Sequence, residues 1–187
     1  MKLEQTTFPD AINVISLVTA KIHLRVEHSG DDALITSLIT ASQDVVQKYT
    51  GDFMQRTGVN FYSDTFMDFM DLHGGTDLAI TGLNYINSHS GTTVSASADY
   101  QVDGKIYPST LRMMKIPNDV KDQLNAVTVQ TISGFDTDDR PQALEVAMLL
   151  IIGHLYENRQ DVGRFKHHEI PMASKYLMEP YRLKSFR

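Results

Sequence analysis

Seven histidines are the residues in this chain best suited to chemistry. Imidazole ligates metals and exchanges protons near neutral pH. Their spacing argues against both uses. His23 and His28 lie five apart and straddle a predicted helix end, and His167 and His168 are adjacent in a predicted loop, so their side chains diverge. Neither pair has the i, i+4 spacing that puts two histidines on one helix face in a HExxH site. His154 and Glu157 are i, i+3 and can touch on one helix. A His–Glu pair can do general acid–base work, but no candidate nucleophile lies near it in sequence. Gly74-Gly75 lacks the Lys-Ser/Thr of a phosphate-binding loop, and there is no GxGxxG. Asp64, Asp68, Asp71 and Asp77 are spaced too loosely for a calcium loop and read as a solvated acidic face. The residues therefore assign no catalytic, cofactor or metal role, and the expectation is a protein that is not an enzyme and has no cofactor.

The elements that would position these side chains centre on one helix. Val146 to Ile152 is an unbroken apolar run within Ala143–Asp161, followed by the polar string His154-Leu155-Tyr156-Glu157-Asn158-Arg159. A helix with no polar face through its middle is buried on most sides. The run is far short of the roughly 20 residues of a membrane span, so it reads as the centre of a small soluble domain. Pro141 suits the first helical position, where its missing N–H costs nothing, and Arg159 suits the negative end of the helix dipole.

Residues 1–15 read as an irregular lead-in. Thr19 is a candidate cap for a short helix from Ala20 to Val26, and Asp31 for a longer one reaching Thr50. In the second, Leu34, Leu38, Ala41, Val45 and Tyr49 form one helical stripe. Gly51 is a natural stop. From 57 to 134 the period changes to two. Val94, Ala96, Ala98, Tyr100 and Val102 alternate with polar residues as one half-buried strand. Asp103-Gly104 reads as a tight hairpin turn into Lys105-Ile106-Tyr107. Val127 and Val129 mark another strand, and weaker ones fall around 59–63, 65–70, 78–86 and 111–116. Met172 to Glu179 reads as a last short helix stopped by Pro180. The order helix–helix–sheet–helix predicts an α+β fold with the helices packed together. The expected organisation is one domain over 1–187, with N-terminal helices (16–56), a small antiparallel β insertion (57–134), the central helix (140–160) and a C-terminal loop, short helix and tail (161–187).

Composition narrows the partners. The chain has 187 residues, no cysteine and a net charge of −6. A disulfide framework and a thiolate metal site are thereby excluded. The opening MKLEQTTFPD has no apolar run after its lysine and does not read as a signal peptide. Residues 61–139 carry 11 acids and 4 bases, whereas 140–187 carry 5 acids and 8 bases. Tyr181, Arg182, Lys184, Phe186 and Arg187 make the chain's end basic and aromatic. Charge separated this way can orient one copy against another or a tail against an acidic partner. A nucleic-acid patch needs more cations than this.

Two ends of the chain together resemble a known family. Lys21-Ile22-His23-Leu24-Arg25-Val26, then Asp31-Asp32 and a long helix ending in Tyr49-Thr50-Gly51, are similar to the opening of the head–tail connector (adaptor, or head completion) proteins of tailed bacteriophages. The stretch His154, Tyr156, Glu157, Asn158, Arg159 matches a second hallmark, and Pro180-Tyr181-Arg182 a third. The resemblance spans about 16–182, and its specific parts are helical. It implies a structural virion protein without chemistry, assembled in the host cytoplasm and placed at the head–tail junction. Such proteins form a cyclic ring of about a dozen copies below the portal. They extend the DNA channel and offer a platform to the next connector, stopper or tail protein; DNA passes without specific binding and no membrane is involved. A ring needs two different, complementary faces on each copy. The basic segment from Tyr181 to Arg187 is the candidate contact with portal or neighbour. Two other readings stand beside this one. One is another phage morphogenesis part, a stopper or tail-completion protein. The other is a small metal-binding protein or enzyme using His23, His28, His154 or His167.

Overall fold

The structure is a computed structural model, and it describes residues 2–6, 13–72, 78–96, 100–103, 109–159 and 172–183. It is α+β, as the order of periodicities predicts. The chain divides into two compact units. One holds Ile12–Met54 and Thr137–Leu183, and with them the helices; the other holds the strands, within Gln55–Asp136 and the N-terminal stretch.

In the helical unit, α1 covers Leu17–Leu24, α2 Asp32–Thr50, α3 Gln142–Glu157 and α4 Met172–Met178. α2 and α3 pack on each other, and both α1 and α4 pack against that pair. α1 begins earlier than predicted. Its cap is Ser16, whose Oγ accepts the Thr19 N–H at 3.0 Å, so Thr19 lies inside the helix. α1 ends in a Schellman arrangement: the Arg25 N–H donates to Ile22 O at 3.2 Å and the Val26 N–H to Lys21 O at 3.0 Å. Arg25 takes the left-handed conformation this requires, at φ 56°. That conformation costs a non-glycine residue about 1 kcal/mol.

α2 has the predicted length and stops at Gly51, which is left-handed at φ 80°. Its buried face is one residue on from the predicted stripe. Ile35, Ile39, Ser42, Val46 and Thr50 are buried, while Leu34, Leu38, Val45 and Tyr49 are half-buried and Ala41 is exposed. The two hydroxyls can enter that face because each bonds its own helix backbone: Ser42 Oγ donates to Ile39 O at 2.7 Å, and Thr50 Oγ1 to Val46 O at 2.9 Å. Fully burying Ile35 or Ile39 contributes roughly 1.5–3 kcal/mol each.

α3 buries Leu144, Ala147, Met148, Ile151 and Ile152. Val146 within the apolar run is exposed and Leu149 and Leu150 are half-buried, so the helix is less enclosed than a continuous apolar run predicts. Pro141 sits one position before the helix, as its cap residue, rather than at the first helical position. α4 ends at Met178, two residues before Pro180 and one residue short of the expected end. After α4 a 3-10 turn, Glu179–Tyr181, accommodates Pro180.

The strand unit contains two sheets rather than one layer. Strands β1 (Lys2–Thr6), β2 (Thr57–Ser63), β4 (Ala79–Ile86), β5 (Thr93–Ser95) and β8 (Val127–Ser133) form a sheet ordered β1-β2-β8-β4-β5. Strands β3 (Phe69–Leu72), β6 (Tyr100–Asp103) and β7 (Ser109–Met113) form the second, ordered β3-β7-β6. All pairings are antiparallel. The central row of the larger sheet is Phe61–Val129–Leu83, three buried side chains in register across β2, β8 and β4. Two expectations change here. The N-terminal segment is not wholly irregular, because β1 pairs along β2. The alternating run 94–102 is not one strand, because β5 pairs with β4 while β6 pairs with β7 in the other sheet. The return of β6 is a hairpin with β7, but the pairing resumes at Asp103↔Thr110. That register does not fit a two-residue turn, and Lys105-Ile106-Tyr107 lies outside the described residues.

Candidate interaction surfaces

The α1–α2 corner is held by a set of charged residues that the sequence had marked. Lys21 Nζ donates to Asp32 Oδ1 at 2.6 Å and to His28 O at 2.7 Å. Asp31 was expected to cap α2, yet its side chain makes no cap bond there. Its carboxylate instead accepts the Tyr156 hydroxyl at 2.5 Å and Arg159 Nη2 at 3.0 Å. The Arg159 guanidinium also lies 4.7 Å from the Tyr156 ring centre. The Tyr156 hydrogen bond, then that of Arg159, holds the Asp31 carboxyl below its ordinary range; the same carboxylate pushes the Tyr156 phenol up. The polar end of α3 is thus tied to the start of α2.

The other residues of that string are less engaged. Asn158 ends α3 and donates through its backbone and side-chain N–H groups to His154 O, at 3.0 and 2.8 Å. His154 Nδ1 lies 3.3 Å from the Asn158 side-chain amide, and among the described residues no hydrogen bond or ion pair joins it to Glu157. Glu157 is exposed. His23 lies against Gly153 of α3, where an added Cβ would sit 3.5 Å from its Nε2. Leu24 is the half-buried last residue of α1. Among the described residues no group of three or more His, Cys, Asp or Glu side chains is placed to hold a metal ion. His167, His168, Gly74, Gly75 and Asp77 lie outside them. Of the remaining acidic residues, Asp64 accepts the Asn125 N–H at 2.8 Å and Asp71 the Thr110 hydroxyl at 3.4 Å. No helix among the described residues is long and apolar enough to cross a membrane.

A second tie, absent from the sequence reading, joins α2 to the end of the described chain. The Tyr49 hydroxyl donates to Glu179 Oε2 at 2.6 Å, and the Arg182 guanidinium lies 5.5 Å from the Tyr49 ring centre. The Leu183 N–H donates to Thr50 O at 2.7 Å. Tyr181, Arg182 and Pro180 therefore lie in a segment folded back on α2. Lys184, Phe186 and Arg187, the rest of the basic end, are outside the described residues. In sequence Tyr49 counts as one more apolar step of a stripe, and no local pattern signals its carboxylate partner 130 residues away.

The strand unit has a pocket lined by Tyr85, His89, Lys115 and Asp119, among others. Its acid is already engaged: Asp119 accepts the Tyr85 hydroxyl at 3.0 Å and the Asn87 amide. Burial, then the Asp119 hydrogen bond, pushes the Tyr85 phenol up and keeps it neutral. A neutral, donating phenol on a carboxylate that also accepts an amide braces the loop around Asp119.

The molecule that emerges is a two-unit α+β protein in which Lys21, Asp31, Asp32, Tyr156 and Arg159 brace the helices. Residues 14–67 match the family model of the phage gp6-like head-tail connector proteins, a segment that takes in α1, α2 and β2. Three solved chains share the fold over the whole length. A chain of the virion of a native gene transfer agent (GTA) particle superposes with a TM-score of 0.79 at 17% identity, covering 100% of this chain and 98% of that one. A chain from the neck of an empty GTA particle, computed with C6 symmetry, gives 0.77 at 17% identity and the same coverages, 100% and 98%. A chain from the neck of a native GTA particle, computed with C12 symmetry, gives 0.75 at 16%, again over 100% and 98%. At such identities the likeness is one of fold. No curated protein matches the chain by sequence.

Proposed function

We propose that this chain is a head–tail connector of the adaptor type, a structural virion protein that forms a ring under the portal. One coincidence carries the reading. The segment that matches the connector family model, 14–67, lies inside a full-length fold likeness to chains from particle necks. The sequence hallmarks at Lys21–Arg25, Asp31-Asp32, His154–Arg159 and Pro180–Arg182 fall in the same helical unit.

In this reading the helical unit is the adaptor core, the strands are its insertion, and 1–187 works as one connector domain. About a dozen copies close a ring that extends the DNA channel and presents a platform to the next connector or tail protein. The particle matures in the host cytoplasm, and the protein stays at the head–tail junction. A net charge of −6 without a dense cation cluster suits a channel that DNA slides through. A stopper, expected to be mostly β, is not favoured by a unit built on four helices among the described residues.

Electron microscopy of particles made when the gene is disrupted tests this. Separate heads and free, complete tails are the expected result. Joined, infectious particles would overturn it.

A further inference from the structure

We draw no further inference here: the strongest candidate, the apolar patch of Met114, Ile116 and Leu124 on the loop 114–126 that the Tyr85–Asp119 and Ile86–Ala126 hydrogen bonds tie to β4, carries nothing because nothing in the structure shows what covers it.

Discussion

The Tyr156 hydroxyl donates to the Asp31 carboxylate across 125 residues of sequence. Arg159 approaches the same carboxylate. One acid thereby fixes the end of α3 to the corner between α1 and α2.

Tyr156→Phe removes one of the two donors and leaves the ring packing in place. The melting temperature should fall by about 2–4 °C, the scale of one modest interaction in a protein of this size. Asp31→Asn should cost more, because it also removes the charge that Arg159 faces. A Tyr156→Phe loss that persists undiminished in an Asp31→Asn background would show that the two residues are not coupled.

The Asp31–Tyr156 tie, the Tyr49–Glu179 bond and the Arg56–Asp136 pair set a pH dependence on both sides of neutrality. Asp31 and Asp136 have folded pKa values below the ordinary 3.8. Asp136 owes this first to its two-pronged bond with Arg56, at 3.1 and 3.2 Å. The stability they contribute is present above the unfolded value of about 3.9 and is lost as pH falls through the lower folded values. Tyr156 and Tyr49 are raised above 10.0, each first by a hydrogen bond to a carboxylate. Their contribution is full below about 10 and is lost as pH rises through the folded values. Melting curves from acid to alkali should therefore show a plateau, with Asp31→Asn shrinking the fall at the acid end. An unchanged acid limb in that variant would remove Asp31 from the account.

The register of α2 can be read by deletion of side chains. Ile39→Ala empties a fully buried site and should destabilise by about 2–5 kcal/mol. Leu38→Ala, at a half-buried position, should cost clearly less. Denaturant unfolding of the two variants checks this, and a reversed order would restore the stripe that periodicity alone suggests.

Truncation separates the tail from its anchor. Removing 184–187 should leave melting unchanged and weaken portal docking, if the basic end makes that contact. Cutting after Glu179 also removes the Leu183–Thr50 bond and the Arg182–Tyr49 stack, and should lower the melting temperature as well. A chain lacking 184–187 that still binds portal normally would exclude those residues from docking.

Much of the helical unit was legible in sequence, because capping and stopping are local. Gly51 ends α2 where only a left-handed residue can. The errors have two causes: a distant partner, or a local backbone bond that residue polarity hides. Asp31 has the side chain of a cap but is drawn away by Tyr156 and Arg159. Ser42 and Thr50 look polar and outward, yet they bury by bonding their own backbone. Alternation in 94–102 encodes which side of a strand faces inward, not which sheet it joins, so the change of sheet between β5 and β6 left no mark. β1 is mostly polar and lies at a sheet edge, where the demand for apolar residues is weakest. The polar motif at the end of α3 was visible as a string; its partner was not.

The two-unit division sets the order in which a growing chain can mature. α2 is synthesised long before α3, the helix that packs on it, with the strand-unit stretch Gln55–Asp136 in between. At about 5–20 residues per second the apolar face of Ile35, Ile39 and Val46 waits about 5–20 seconds for its cover. By the end of that delay the strands β1 to β8 have been synthesised, while α4 has not. A released fragment ending at residue 136 should accordingly resist protease across the strands and be cut within α2, whose apolar face still lacks its cover.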